Sequence, residues 1–247
     1  MWGSMQEREP EVPTGLRHPW PRSARTARAL QDRLRPLLRI GGGPRRVRRV
    51  AGADLSYDAG RNRLYAAVLV FSYPALDLVE RQVVARPITF PYVPGLLSFR
   101  EIPAILSAWR RLRQEPDLVL CDAQGIAHPR GIGLASHLGL LLGKPTIGCA
   151  KSRLVGEHGE VGERRGDRVP LVLGGKTVGA VLRTRIGARP LFVSPGHLIG
   201  LQAAVRFVLG CCRGFRLPEP TRQADQTVAL ARRAGGTGGL SEARPLC

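Results

Sequence analysis

Three acidic residues of this chain stand among apolar neighbours. Asp54 lies inside the strand-like stretch VAGADLSY, Asp122 ends the apolar run DLVLCD, and Glu101 begins a helical pattern. An aspartate in a strand interior is costly to bury unless it is paired or binds a cation. Converging carboxylates bind Mg²⁺ or Mn²⁺, and a pair of such ions is one means of hydrolysing phosphodiester bonds. Asp225, in the polar stretch TRQADQ, is the weakest ligand candidate among these acids.

Each acid also has an ordinary structural interpretation. Asp122 could cap a turn at a strand end, and Ser98 with Glu101 fits the Ser-x-x-Glu capping box of a helix N-terminus. The two roles of Glu101 are compatible, because one carboxylate oxygen can cap while the other binds a metal. Asp54 has the weakest structural alternative, since strand interiors disfavour aspartate.

Basic side chains supply further candidates. Lys151 follows the buried-strand pattern PTIGCAK and could act as a compact point charge, or it could be an ordinary strand-end cation. His197, at the start of a predicted helix, could orient a water molecule or donate a proton, or simply begin the helix. His128 and Arg130 lie on a glycine-rich loop just after Asp122, where Arg130 could reach a phosphate.

The net charge of the chain favours a polyanionic partner. There are 38 Lys and Arg residues against 19 Asp and Glu, a formal net charge of +19. Nucleic acid is the simplest partner for such a surface. Coding bias in a GC-rich genome is the alternative, and it explains the preference for arginine better than it explains the net charge.

Cysteine usage and hydropathy bear on location. The five cysteines are odd in number and form no C-x-x-C pair, which favours reduced thiols over disulfides or zinc ligands. No apolar signal segment and no run of 18 apolar residues occurs. We therefore expect a cytoplasmic protein that does not associate with membranes.

The elements that must position these residues follow from periodicity. Three strand patterns joined by short links, at 46–57, 64–73 and 76–86, predict an antiparallel meander. Helical and strand patterns then alternate, which predicts an α/β fold with a mixed sheet flanked by helices on both faces. The alternating segments are helices at 99–113 and 132–142, strands at 117–122 and 145–151, shorter strands at 169–183 and 190–193, and a helix at 197–211.

Composition divides the chain into three parts. Residues 1–24 are rich in proline and arginine and predict a disordered basic tail. Residues 25–228 predict one catalytic domain, with a basic amphipathic helix at 25–40 and a core from about residue 46. Residues 229–247 predict a flexible tail.

The stretch PYVPGLLSFRE, residues 91–101, is too apolar for an ordinary loop and too rich in proline and glycine for one regular element. Together with five other blocks it resembles the endonuclease V family, deoxyinosine-directed repair nucleases with an RNase H-like fold. The other blocks, in family order, are GADLSY, PDLVLCDAQGIAHPRGIGLASHLGL, GKPTIGCAK, SPGH and RLPEPTRQAD. The resemblance runs from about Val50 to Asp225.

The resemblance implies roles for the acidic and basic candidates. Asp54, Glu101 and Asp122 would form a cluster that binds Mg²⁺, with Mn²⁺ also expected to support activity. Lys151 and His197 would lie beside this metal site.

The resemblance also implies how a damaged base is held. Tyr92, between Pro91 and Pro94, would be a wedge that enters the duplex where the damaged base is turned out. A wedge of this kind offsets part of the cost of unstacking.

The base pocket would lie between Gly95-Leu96-Leu97 and the loop after Asp122. That loop includes Gly125 and Ile126, and it continues to His128 and Arg130. Ala123 departs from the Asp-Gly pair that the family commonly has, and the added methyl could alter specificity.

The resemblance implies a metal-dependent deoxyribonuclease V. It would hydrolyse the second phosphodiester bond 3′ to deoxyinosine through metal-activated water, leaving a 3′-hydroxyl and a 5′-phosphate. The expected partner is DNA containing deoxyinosine, and a monomer is expected. The alternatives are an endoribonuclease acting on inosine in RNA, a non-catalytic nucleic-acid-binding relative, and another RNase H-like nuclease such as a resolvase.

Overall fold

A computed structural model of the chain describes residues 15–236. The described part contains five helices and eight strands around a single mixed sheet. The helices are α1 (Ala24–Leu34), α2 (Leu97–Trp109), α3 (Leu134–Leu142), α4 (Leu201–Gly210) and α5 (Glu219–Ala234). The strands are β1 (Arg49–Asp58), β2 (Arg63–Ser72), β3 (Leu78–Pro87), β4 (Leu118–Cys121), β5 (Thr146–Ala150), β6 (Arg168–Leu173), β7 (Lys176–Leu182) and β8 (Leu191–His197).

The sheet order is β3-β2-β1-β4-β5-β8-β7-β6. Strands β1, β4 and β5 are parallel neighbours, and every other pairing is antiparallel. The β1-β2-β3 meander predicted from the short links is confirmed. The carboxyl ends of β1, β4 and β5 consequently open at one edge of the sheet.

Helices cover both faces of this sheet. Alternation along β1 sends Val50 to a core shared with α4 and α5, and the next residue, Ala51, to a core shared with α2 and α3. The strands at the centre are apolar on both sides because both faces are covered. The predicted α/β class with a mixed sheet between helices is confirmed.

Two helix boundaries differ from the sequence predictions. Helix α2 begins at Leu97 after Leu96, so Ser98 lies inside the helix and makes no cap; its hydroxyl lies 3.2 Å from His137 Nδ1. His197 ends β8 and does not begin a helix, because Leu198 adopts a left-handed φ of 52° and α4 starts only at Leu201. The capping-box interpretation of Glu101 is therefore wrong.

The predicted tail limits also differ from the structure. Residues 15–23 pack against α3: the Leu16 N–H donates to the Leu140 carbonyl at 3.0 Å, and His18 Nε2 lies 2.7 Å from His137 Nε2. At the other end, α5 continues to Ala234, and its successive turns bury one face as far as Ala231. Residues 1–14 and 237–247, the rest of the predicted tails, lie outside the described residues.

The four cysteines within residues 15–236 are buried and unpaired. In the same part of the chain, no helix has the length and hydropathy needed to cross a bilayer.

Candidate active site

Two aspartates meet because β1 and β4 are parallel neighbours. Ala53 is in register with Cys121, so the residue after each, Asp54 and Asp122, lies at the same level of the sheet. The Asp122 N–H donates to the Ala53 carbonyl at 3.3 Å. Pairing of the strands thus brings together two carboxylates that are far apart in the chain.

A third carboxylate comes from α5. One side-chain oxygen from each of Asp54, Asp122 and Asp225 lies within 4.8 Å of the other two. Helix α5 can approach β1 this closely because residue 52 is glycine: a Cβ there would lie 2.0 Å from the Pro220 carbonyl oxygen. Asp225, which the sequence marks as the weakest ligand candidate, is therefore part of the cluster.

The sequence does contain a signal for the helix that carries Asp225, although not for its packing against β1. Pro218 and Pro220 at a helix start, followed by buried Ala224, Val228 and Ala231 at helical spacing, indicate an amphipathic helix.

Burial and neighbouring charges raise the pKa of Asp54 and of Asp122. Burial is the largest cause that raises the pKa of Asp54 to about 8, and the charges of Asp122 and Asp225 add to it. Burial also raises the pKa of Asp122, while its hydrogen bond with Lys151 opposes the rise. A carboxyl group held in this way is stabilised when a cation lies beside it.

Lys151 follows β5 and bridges two of the acids. Its Nζ lies 2.5 Å from Asp122 Oδ2 and 2.9 Å from Asp225 Oδ1. Burial would lower the pKa of Lys151, but the hydrogen bonds and charges of these two aspartates raise it well above its usual value. The ammonium group is therefore charged at neutral pH.

Glu101 lies in the first turns of α2 and lines the same cavity as the three aspartates. It is not one of the three acids whose oxygens all lie within 4.8 Å. Burial is the main cause that raises the pKa of Glu101 to about 7, and Asp122 contributes. The structure thus places Glu101 at the wall of the site rather than among the closest carboxylates.

The acidic cluster opens into a cavity of about 530 Å³. Tyr92, Pro94, Gly95 and Leu97 form part of one wall, and Tyr92 is 68% exposed at the rim. Pro91 lies outside the cavity lining. An exposed aromatic ring therefore lies at the mouth of the cavity that holds the three carboxylates.

His128 lines the cavity but Arg130 does not. Burial lowers the pKa of His128 to about 4, so the ring is neutral, and its Nδ1 accepts the Arg130 N–H at 3.2 Å. The Arg130 guanidinium forms an ion pair with Asp32 of α1. Its charge is therefore engaged within the protein, unlike the phosphate contact expected from the sequence.

Gly125 and Ile126 are absent from the cavity lining, contrary to the sequence prediction. The Gly125 N–H donates to Ser194 Oγ at 2.7 Å, and its carbonyl accepts the Gly133 N–H at 2.8 Å. The Ile126 N–H donates to the Pro195 carbonyl at 2.8 Å. These backbone groups join the loop to β8 and to the start of α3.

Gln124 and three residues after Lys151 line the cavity where no role was predicted for them. Gln124 Nε2 donates to the Ser152 carbonyl at 3.0 Å, which ties the two walls together. Arg153 and Leu154 continue the wall, and both are exposed. The sequence signal for Gln124 is its position two residues after Asp122, which places it near the same end of β4.

His197 lies away from the cluster. It pairs with Thr146, the first residue of β5, whereas Lys151 follows the last residue of that strand. Five residues of extended chain span about 16 Å. The His197 ring accepts the Arg39 N–H through Nδ1 at 3.3 Å, and burial lowers its pKa, so it serves the packing of this edge.

The donor set fits a hard divalent cation. Mg²⁺ and Mn²⁺ prefer carboxylate and water oxygens, and the closest acids supply only carboxylate oxygens. A cation would also offset the repulsion that raises the pKa of Asp54. Asp54, Asp122 and Asp225 would hold it, with Glu101 at the cavity wall.

The sequence of this chain is similar to that of proteins named Endonuclease V. The sequence profile described as Endonuclease V matches residues 36–226. The Endonuclease V of Gloeobacter violaceus is 50% identical over 220 residues, covering 88% of this chain and 89% of that protein.

Two solved structures are similar over most of the chain. The crystal structure of the Endonuclease V from Streptomyces avermitilis superposes with a TM-score of 0.83 at 43% identity, covering 87% of this chain and 96% of that one. The Ciona intestinalis Endonuclease V, crystallised with a 24mer DNA containing an inosine followed by a ribo-adenosine, gives 0.76 at 26% identity, covering 85% and 98%.

Proposed function

The chain belongs to the Endonuclease V family, and we propose that it cleaves DNA beside deoxyinosine in a reaction that depends on a divalent metal ion. The observation that carries this proposal is the convergence of Asp54, Asp122 and Asp225 within 4.8 Å in a cavity whose rim holds the exposed ring of Tyr92. A cluster of acids alone is common on protein surfaces. A cluster inside a cavity of about 530 Å³, large enough to admit a nucleobase and lying beside an exposed aromatic ring, fits a base-turning nuclease.

Tyr92 would support lesion selection. Tyr92 belongs to the segment 88–96, which forms no helix or strand. Pro94 restricts the backbone of this segment close to Tyr92. Because little backbone freedom is lost on binding, the ring can enter a duplex at low entropic cost. The ring would take the space of the displaced base and offset part of the unstacking energy, a few kcal/mol.

The carboxylates would serve the cleavage step. Bound at Asp54, Asp122 and Asp225, Mg²⁺ or Mn²⁺ would activate the attacking water and offset the charge of the scissile phosphate. Lys151, held between two of these acids, adds a fixed positive charge at the same edge of the sheet. We place the cut at the second phosphodiester bond 3′ to deoxyinosine, which leaves a 3′-hydroxyl and a 5′-phosphate.

A nicking assay on matched oligonucleotides tests the proposal. Duplexes that differ only at one position, with deoxyinosine, deoxyuridine, an abasic site or adenine, are incubated with Mg²⁺ or with EDTA. We expect Mg²⁺-dependent nicking of the deoxyinosine duplex alone, with fragment length and end labelling that locate the cut. Equal nicking of all duplexes would leave a general nuclease and remove the lesion-directed claim.

Inosine in RNA is the second candidate substrate. The Ciona intestinalis relative was crystallised with DNA in which a ribo-adenosine follows the inosine. Hypoxanthine presents the same base edges in both nucleic acids. Matched inosine-containing RNA and chimeric strands in the same assay distinguish an endoribonuclease, while binding without nicking by the wild-type chain would identify a non-catalytic relative.

A further inference from the structure

A second concave surface lies outside the catalytic cavity. It is formed between residues 17–23 and the α1 residues Thr26, Ala29, Leu30 and Arg33, with a volume of about 550 Å³. We call it the basic groove. Trp20 forms part of its wall, and the small side chains of Thr26 and Ala29 keep it open on the helix side.

Positive charge concentrates around this groove. Residues 15–39 contain seven arginines and a single acid, Asp32, which is already paired with Arg130. Arg22, Arg25 and Arg33 are exposed and have no acidic partner in the described part of the chain. Surface charges of soluble proteins are usually interspersed in sign, so such a one-sign surface indicates a polyanion.

The spacing of the arginines suits a phosphodiester backbone. Arg25, Ala29 and Arg33 follow one another at four-residue intervals along one face of α1. The two arginines are therefore separated by about 12 Å along the helix axis. This length corresponds to about three or four nucleotide steps of one duplex strand.

The groove is joined to the Tyr92 segment through the other side of α1. Gln31 is 1% exposed, and its Nε2 donates to the Gly95 carbonyl at 2.9 Å. Ala27, Trp20 and Val93 pack in one apolar cluster behind this contact. DNA bound at Tyr92 would thus continue along α1, which is fixed to the Tyr92 segment by these contacts.

We propose that the basic groove binds the phosphodiester backbone of the DNA duplex flanking the lesion. The inference rests on the proposed function, and it adds a binding surface built largely from residues that precede the family match at 36–226. The groove would add affinity without reading sequence, since contacts to phosphates position a protein but carry no base information.

The salt dependence of binding tests the proposal. The full chain with Arg22→Ala, Arg25→Ala and Arg33→Ala together is compared with the wild type for binding to a deoxyinosine duplex in EDTA, from 50 to 200 mM KCl. Each lost phosphate contact should reduce the slope of log affinity against log salt by about 0.9. For two to three lost contacts we expect a reduction of about 1.8 to 2.7, so across this range the wild type loses about 10- to 40-fold more affinity than the variant.

Two further variants sharpen the result. Arg232→Ala with Arg233→Ala removes exposed arginines at the end of α5, on the other face of the sheet, and should leave the slope unchanged. Lysine in place of arginine at positions 22 and 33 of the groove and at position 25 beside it keeps the charge and should keep the slope, which separates a loss of charge from a loss of fold.

An unchanged slope in the triple alanine variant, or an equal change in the α5 pair, would overturn the groove proposal. The proposed function is judged separately by nicking. If the wild type nicks deoxyinosine DNA while the slopes are equal, only the groove fails. If the slopes differ as expected while the wild type nicks no inosine substrate, the groove stands and the proposed function fails.

Discussion

Replacing Asp54 by asparagine should stabilise the metal-free protein at neutral pH while it removes activity. In the folded chain, burial and then the charge of Asp122 raise the pKa of Asp54 from 3.8 to about 8. Asparagine has the shape of the protonated carboxyl group but cannot ionise. The substitution therefore removes a cost that the wild type bears only as the pH rises.

The sign follows from proton binding. Between pH 4 and 8 the folded state holds a proton on Asp54 that the unfolded state has released, so the free energy of unfolding falls with rising pH. One pKa unit corresponds to about 1.4 kcal/mol, so the fall from pH 4 to pH 7 is about 4 kcal/mol for this group. The stability from this group is complete below pH 4 and is lost as the pH approaches 8.

Urea unfolding in EDTA at several pH values measures this effect. Wild type and Asp54→Asn should agree most closely near pH 4 and separate progressively towards pH 8, with the variant more stable. Asp58→Asn on the same strand is the matched control: its hydrogen bond with Arg61 lowers the pKa of Asp58, so its contribution is lost as the pH falls. Parallel wild-type and Asp54→Asn profiles from pH 4 to 8 would refute the reasoning.

Three further substitutions test separately the selection of the lesion, the cleavage step and the packing of α5 on β1. Tyr92→Ala should lower the preference for deoxyinosine over undamaged duplex by about 10- to 100-fold, measured by competition binding, because one stacking contact is lost. Glu101→Gln should lower the single-turnover nicking rate more than it lowers the affinity for the deoxyinosine duplex. An equal loss of affinity in Tyr92→Ala and Glu101→Gln would contradict the assignment of Tyr92 to lesion selection and Glu101 to cleavage. Gly52→Ala should lower the free energy of unfolding by about 1–3 kcal/mol and slow nicking, since its Cβ would meet the Pro220 carbonyl at 2.0 Å and displace the α5 carboxylate. Gly60→Ala, whose Cβ would make only an ordinary van der Waals contact with Asp58 Oδ1 at 3.6 Å, should be neutral in both assays.

Local patterns in the sequence were enough to predict much of the fold. The short links between three strand patterns predict the meander, and buried apolar runs predict β4 and β5. Asp54 and Asp122 are recognisable as candidate ligands because burying a carboxylate among apolar strand residues is costly, and this context can be read from the sequence alone. Lys151, at the end of the PTIGCAK run, contacts Asp122 at this edge of the sheet.

Only the tertiary structure decided which groups share the site. Asp225 reaches the cluster because α5 lies across Gly52, a helix-to-strand approach that no local pattern specifies. His197 is removed from the site by the register of β8 on β5, which is antiparallel and so sends its end to the opposite edge. The N–H groups of Gly125 and Ile126 donate hydrogen bonds to Ser194 and Pro195 of β8. Residue type indicates what a side chain can do, whereas strand register and helix packing determine which side chains meet, because they bring together residues far apart in the chain.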